Sequence, residues 1–217
     1  MVRFNGPVTM RLTRLVVTGA LLVLCSGSSP RGFSGASTRP LRQATFAAGC
    51  FWGVESEFRA TPGVVATMAG YTGGNTPDPV YRDVALGHSG YAEAVLVTYD
   101  PSRVSFAELL DVFWSCHDPT ADLSLPGDPG PHRSAIFFHD KPQEATARAS
   151  MKEVNEARIF PAPVVTQIVA AEKFFPAEDF HQHYFEQHGV EGTCGISGVR
   201  VHTRLAARAG RMRSAQP

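Results

Sequence analysis

One cysteine, Cys50, stands between a glycine and two large aromatics in Ala47-Ala-Gly-Cys-Phe-Trp-Gly53. A thiol attacks only as thiolate, and unpaired backbone N–H groups at the positive end of a helix favour that form. The surrounding pattern offers such a place. Thr45 to Ala48 is a short apolar stretch suited to a strand, Gly49 interrupts it, and Cys50 to Arg59 reads as a helix. Phe51, Val54, Glu55 and Phe58 fall at helical spacing, and Glu55 and Glu57 lie in the first turns, where the dipole favours acids. Helix placement contributes only about 0.3–1 kcal/mol, under one pKa unit, so reactivity needs further help. Cysteine is also a common core residue, and a packed, inert Cys50 is the competing reading.

Three other features bear on that choice. Cys194 lies in Glu191-Gly-Thr-Cys-Gly-Ile-Ser-Gly198, where three glycines suit a segment that can swing a thiol to a distant partner and form a transient disulfide. A permanent bridge or an idle tail thiol would use the same residue. Glu93 sits in mid-strand beside Tyr91, Ala92, Ala94 and Val95. Burial favours the neutral carboxyl, which could then act as a general acid near neutral pH, unless an arginine such as Arg82 or Arg133 satisfies it. Cys116 shares an apolar helix stripe with Leu109 and Phe113 and reads as packed. No pair among His181, His183 and His188 has the i, i+4 spacing that lets two imidazoles share a metal, so neither metal nor cofactor is expected.

The elements that must position these residues alternate along the chain. Val64–Tyr71, Tyr91–Tyr99, Ser134–Phe138 and Val164–Ala171 read as further strands, and Ser105, Pro142 and Ala177 open helices running to about 116, 157 and 188. Tyr91–Tyr99 is apolar on both faces and is expected at the centre of the sheet. The fold class is α+β: a single domain, 43–200, with helices on a mixed sheet. Arg3, Arg11 and Arg14 precede a short apolar run, Leu15–Leu24, and then small residues. That is the pattern of a signal peptide, 1–28, and predicts an exported protein, periplasmic or secreted; Leu24 argues against a lipid anchor on Cys25. Residues 29–42 read as a linker and 201–217 as a polar tail. Twenty basic and twenty acidic residues leave no net charge, which gives a nucleic-acid partner no support.

Gly49-Cys50-Phe51-Trp52-Gly53 resembles the active-site signature of the A-class peptide methionine sulfoxide reductases. The resemblance continues through Gly70-Tyr-Thr-Gly-Gly74, Tyr81, Ala92-Glu-Ala-Val95, His117-Asp-Pro-Thr120, Arg133-Ser-Ala-Ile136 and Ala177-Glu-Asp-Phe-His-Gln182, in family order over about 43–195. It implies a ferredoxin-like α/β sandwich acting as a monomer on peptides or proteins that carry methionine S-sulfoxide. Cys50 would attack the sulfoxide sulfur and become a sulfenic acid. Glu93 and Tyr81 would serve the oxygen, Phe51 and Trp52 would enclose the methyl, and Cys194 would resolve the sulfenic acid as a disulfide reduced by a thioredoxin-like protein. Asp128 aligns with the family's active-site acid. Three departures stand out: Tyr91 replaces a histidine, the loop after Thr120 is shorter, and His132 replaces a second active-site tyrosine. The competing functions are a cysteine hydrolase, which would give Cys194 no task, and a non-catalytic thiol-sensing member of the family.

Overall fold

The structure is a computed structural model that describes residues 39–124, 127, 129–190, 192 and 201–214. The predicted signal segment 1–28, most of the linker, Asp128 and Cys194 lie outside the described residues. Within the unit Ala36–Pro217 the strands are β1 (Arg42–Ala48), β2 (Val64–Thr72), β3 (Ala92–Tyr99), β4 (Ser134–Phe138), β5 (Gln167–Ala170) and β6 (Phe175–Pro176). The helices are α1 (Phe51–Arg59), α2 (Tyr81–Ala85), α3 (Phe106–Cys116), α4 (Lys141–Glu156), α5 (Tyr184–His188) and α6 (Arg204–Ser214), with a 3-10 turn at Asp179–His181.

The strands form one mixed sheet in the order β5-β4-β1-β3-β2-β6. Among the described residues only the β4–β5 pair is parallel; the other strand pairs are antiparallel. The inner order β4-β1-β3-β2 is that of a split β-α-β unit. β3 is central, as its two apolar faces predict. Val95, Val97 and Tyr99 join Phe46, Phe58, Leu109 and Phe113 in the main core. Ala92 and Ala94 meet Ala47, Ala135 and Phe137 in a smaller one.

Local sequence accounts for the helix starts. Ser105 and Glu108 close a reciprocal capping box at the start of α3, and the Asp140 carboxylate accepts the Gln143 N–H at the start of α4. Such caps contribute about 1 kcal/mol each.

Four expectations are corrected. The predicted helix over 177–188 is broken, because Gln182 is extended and His183 is left-handed, with φ 50°. The break lets the Gln182 side chain finish the ladder on β2. Its Oε1 accepts the Ala69 N–H at 2.9 Å and its Nε2 donates to the Ala69 carbonyl at 2.9 Å. Helical periodicity carries no sign of that exchange. The strand expected over 164–171 shortens to β5, since the amides of Val164 and Val165 donate elsewhere, to Asn155 Oδ1 and the Pro119 carbonyl. Glu55, expected to face the helix dipole, is instead buried and accepts Thr67 Oγ1–H at 3.0 Å and the His183 N–H at 2.7 Å. The segment read as a polar tail holds α6 packed on α3, with Val201, Thr203 and Ala206 buried. Thr203 donates to the Asp111 carboxylate from both its N–H and its hydroxyl, and the domain therefore extends past 200.

Candidate active site

Cys50 is the N-cap of α1 and is exposed. The chain reaches it through Gly49, whose φ of +91° is a conformation that side-chain-bearing residues rarely adopt. This one glycine turns β1 into α1 and leaves the thiol at the positive end of the helix.

Glu93, from the central strand, closes that end from below. Its side chain is 2% exposed, and its Oε2 accepts the Phe51 N–H, the first amide of α1, at 3.1 Å. Its other oxygen, Oε1, lies 3.3 Å from His132 Nε2. Arg133, one of the alternative counter-ions for Glu93, donates to the carbonyls of Gly130 at 2.9 Å and Gly73 at 3.3 Å. The ionisable side chain beside Glu93 Oε1 is His132. Hydrogen bonding to Glu93 pushes the His132 pKa up, against the opposing effect of burial, and the carboxylate charge adds to the rise.

Tyr81 stands at the start of α2. Its phenol is pushed up first by burial, then by the charges of Glu93 and Cys50, which places it within electrostatic reach of both. Val80, the N-cap of α2, offers no side-chain cap, and Glu178 Oε1 accepts the Tyr81 N–H at 2.9 Å in its place. Glu178 Oε2 accepts the Tyr71 hydroxyl at 2.8 Å. Burial, followed by this bond, pushes the Tyr71 phenol up.

The aromatics are held differently from one another. Phe51 is 1% exposed, between the rings of Tyr71 at 5.9 Å and His181 at 5.0 Å, and belongs to the core as much as to the site. Trp52 is half-buried. Its indole stacks on Tyr184 at 3.6 Å, and its Nε1–H donates to His181 Nδ1 at 2.9 Å. Because an indole nitrogen only donates, His181 Nδ1 is the bare nitrogen and Nε2 carries the proton. Burial lowers the His181 pKa and keeps that neutral form. Beside Trp52 a cavity of about 220 Å³ is lined by Glu55, Ser56, Arg59, His183 and Tyr184.

Five of the expected site residues, Cys50, Phe51, Trp52, Tyr81 and Glu93, are thus brought together, while Asp128 and Cys194 lie outside the described residues. Gly192 is described, and Ser56 Oγ of α1 donates to its carbonyl at 3.2 Å. Sequence reasoning missed the supports: Glu178, His181, Gln182 and Tyr184. His181, by its spacing, speaks only to metal binding. Its role depends on a tryptophan 129 positions earlier, which no local pattern reports.

A cysteine at a helix start, a buried carboxylate on the first helix amide and a tyrosine whose ring packs on His181 at 4.4 Å, beside Phe51, define a cysteine-nucleophile active site. The family model described as peptide methionine sulfoxide reductase matches residues 42–210. The MsrA of Methanosarcina acetivorans is 51% identical over 150 residues, 69% of this chain and 80% of that one. Mxr1 of Saccharomyces cerevisiae in reduced form superposes with a TM-score of 0.65 at 28% identity, covering 74% of this chain and 93% of Mxr1. Mxr1 in complex with Trx2 aligns at 24% identity with a TM-score of 0.50, covering 74% and 91%. The chain belongs to the peptide methionine sulfoxide reductase family.

Proposed function

We propose that the chain reduces methionine S-sulfoxide, in peptides or free, to methionine, with Cys50 as nucleophile. The observation that carries this is the Phe51 N–H to Glu93 bond, which seats a buried acid against the helix end that bears the exposed thiol. A thiolate there attacks the sulfoxide sulfur, and Glu93 and Tyr81 serve the oxygen as it takes up a proton. Trp52 and Phe51 bound the space for the methyl, where an apolar wall favours the substrate over more polar groups. Methionine leaves and Cys50 becomes a sulfenic acid.

Cys194 is the proposed resolving thiol. Gly192 is held at Ser56, about 9 Å along α1 from Cys50 by helix rise. Cys194 follows Gly192 by two residues, a reach of up to about 7 Å along the chain. A Cβ on Gly192 would come within 2.0 Å of the Phe185 ring, so this path needs glycine. The disulfide would be reduced by a thioredoxin-like protein, a reading supported by the capture of Mxr1 with Trx2. Asp128 is proposed as a further acid of the site. The basic, then apolar, N-terminal segment supports export as a signal peptide, which would place protein repair outside the cytoplasm.

The test is reduction of both epimers of a methionine sulfoxide peptide with dithiothreitol, which bypasses any protein reductant. The S epimer is expected to be consumed and the R epimer left, and Cys50→Ser should abolish the reaction. Turnover retained by Cys50→Ser would refute the assignment.

A further inference from the structure

We propose that His132 and Glu93 form a couple that holds, between Nε2 and Oε1, the proton taken up by the sulfoxide oxygen. The inference rests on the reductase reading above and assigns to His132 a direct part in it. Glu93 Oε2 is already engaged as acceptor of the Phe51 N–H at 3.1 Å. Oε1, the other oxygen, lies 3.3 Å from His132 Nε2 and is the one placed to share a proton with it. The imidazole is the one acid in that direction among the described contacts of Glu93.

The loop that carries His132 is fixed on both sides of it. The Glu93 N–H donates to the Pro131 carbonyl at 2.8 Å, so the backbone of β3 holds the residue before His132. Arg133, the residue after it, is buried and ties the loop to the carbonyls of Gly130 and Gly73. The two members differ in access to water: the Glu93 side chain is 2% exposed and that of His132 46%. The couple thus joins a buried carboxylate to solvent through an imidazole. The His132 pKa is raised chiefly by its hydrogen bond to Glu93, which keeps a proton on the pair further into the neutral range. The other ionisable groups facing the couple are Cys50 at the start of α1, Tyr81 of α2, Tyr71 of β2 and, beyond them, Glu178 and His181.

The step balances. The Cys50 thiolate attacks the sulfoxide sulfur, and the S=O oxygen takes the shared proton. The S–S bond formed by that attack and the methionine S–O bond then both break as the hydroxyl passes to Cys50 Sγ, so methionine leaves reduced by two electrons and Cys50 is oxidised by two electrons to the sulfenic acid. The couple, one proton short, is recharged from water through the exposed imidazole.

The test uses the full chain, pre-reduced, in single turnovers with a peptide methionine S-sulfoxide from acid to alkaline pH. The wild-type rate should fall as pH rises through a value above the ordinary histidine pKa of about 6.5. His132→Phe should slow the step by about 10²-fold or more and lose that limb. His132→Tyr should recover much of the rate, with its limb moved toward the phenol pKa of about 10. The His132 ring, followed by NMR, should titrate at lower pH in Glu93→Gln, a shift that a merely packed imidazole would not show. A His132→Phe enzyme that keeps both the rate and the limb overturns the couple while leaving the reductase reading intact. A wild-type enzyme that reduces no sulfoxide overturns that reading, and the couple with it.

Discussion

At the scale of the residue, the site is a set of side chains each oriented by one specific partner. Trp52 shows this most directly, since its indole is fixed by a stack on Tyr184 and one bond to His181. His181→Phe keeps the bulk of the ring and removes the acceptor. A neutral hydrogen bond contributes about 1 kcal/mol, so the variant should raise KM for the sulfoxide about fivefold, with a smaller change in kcat. Tryptophan fluorescence offers a second reading. The chain has two tryptophans, and the other, Trp114, is buried and bonded to Ser150, so a change in emission would report Trp52. An unchanged KM and spectrum would show that the stack alone holds the indole.

At the scale of the element, the site depends on segments that are distant in sequence and poorly regular. β1, α1 and β3 were legible because their apolar periodicities and the glycine between strand and helix act over neighbouring residues. Cys50 and Glu93 were legible for the same reason: one stands at a helix start, the other is an acid on an apolar strand. The segment 177–188 was not legible as built, because its gain lies in Gln182 bonding to Ala69 and Glu178 bonding to Tyr81 and Tyr71. α6 was hidden similarly. Its mean composition is polar, and what docks it is Asp111, 92 positions before Thr203. Asp111→Ala removes the acceptor for the Thr203 N–H and hydroxyl, which should cost about 1–3 kcal/mol locally. Hydrogen exchange across 204–214 should then speed up by about tenfold or more while β1 and β3 stay protected. Uniformly faster exchange in all elements would show instead that α6 is inseparable from the core.

At the scale of the whole molecule, buried ionisable groups set the response to acid. His117 is pushed down to about 4 by burial. Its Nδ1–H donates to the Phe113 carbonyl at 3.1 Å, and its Nε2 accepts the Ser134 hydroxyl at 2.7 Å, so the folded protein holds the neutral ring. The unfolded chain takes up a proton near pH 6.5, and the stabilisation is therefore complete above that value and lost as pH falls toward 4. The loss is worth up to about 3 kcal/mol. Asp111, pushed up to about 6 by burial, titrates with the opposite sign: its contribution is present at low pH and lost as pH rises through 6. Urea midpoints compared between wild type and His117→Gln isolate the histidine. The wild type should lose stability more steeply than the variant as pH falls from about 6.5 to 4, and parallel curves would refute the assignment.

The Gln182 side chain that completes the ladder on β2 has a consequence for the company this protein keeps. An outer strand with open N–H and C=O groups is a template on which another polypeptide can add itself as a further strand. Here β6 occupies Gly70 and Tyr71, and the Gln182 amide occupies both backbone groups of Ala69. At Ala69–Tyr71 the outer edge of β2 is therefore closed to strand addition. A peptide lying across this stretch can then be held through its side chains and not as an added strand.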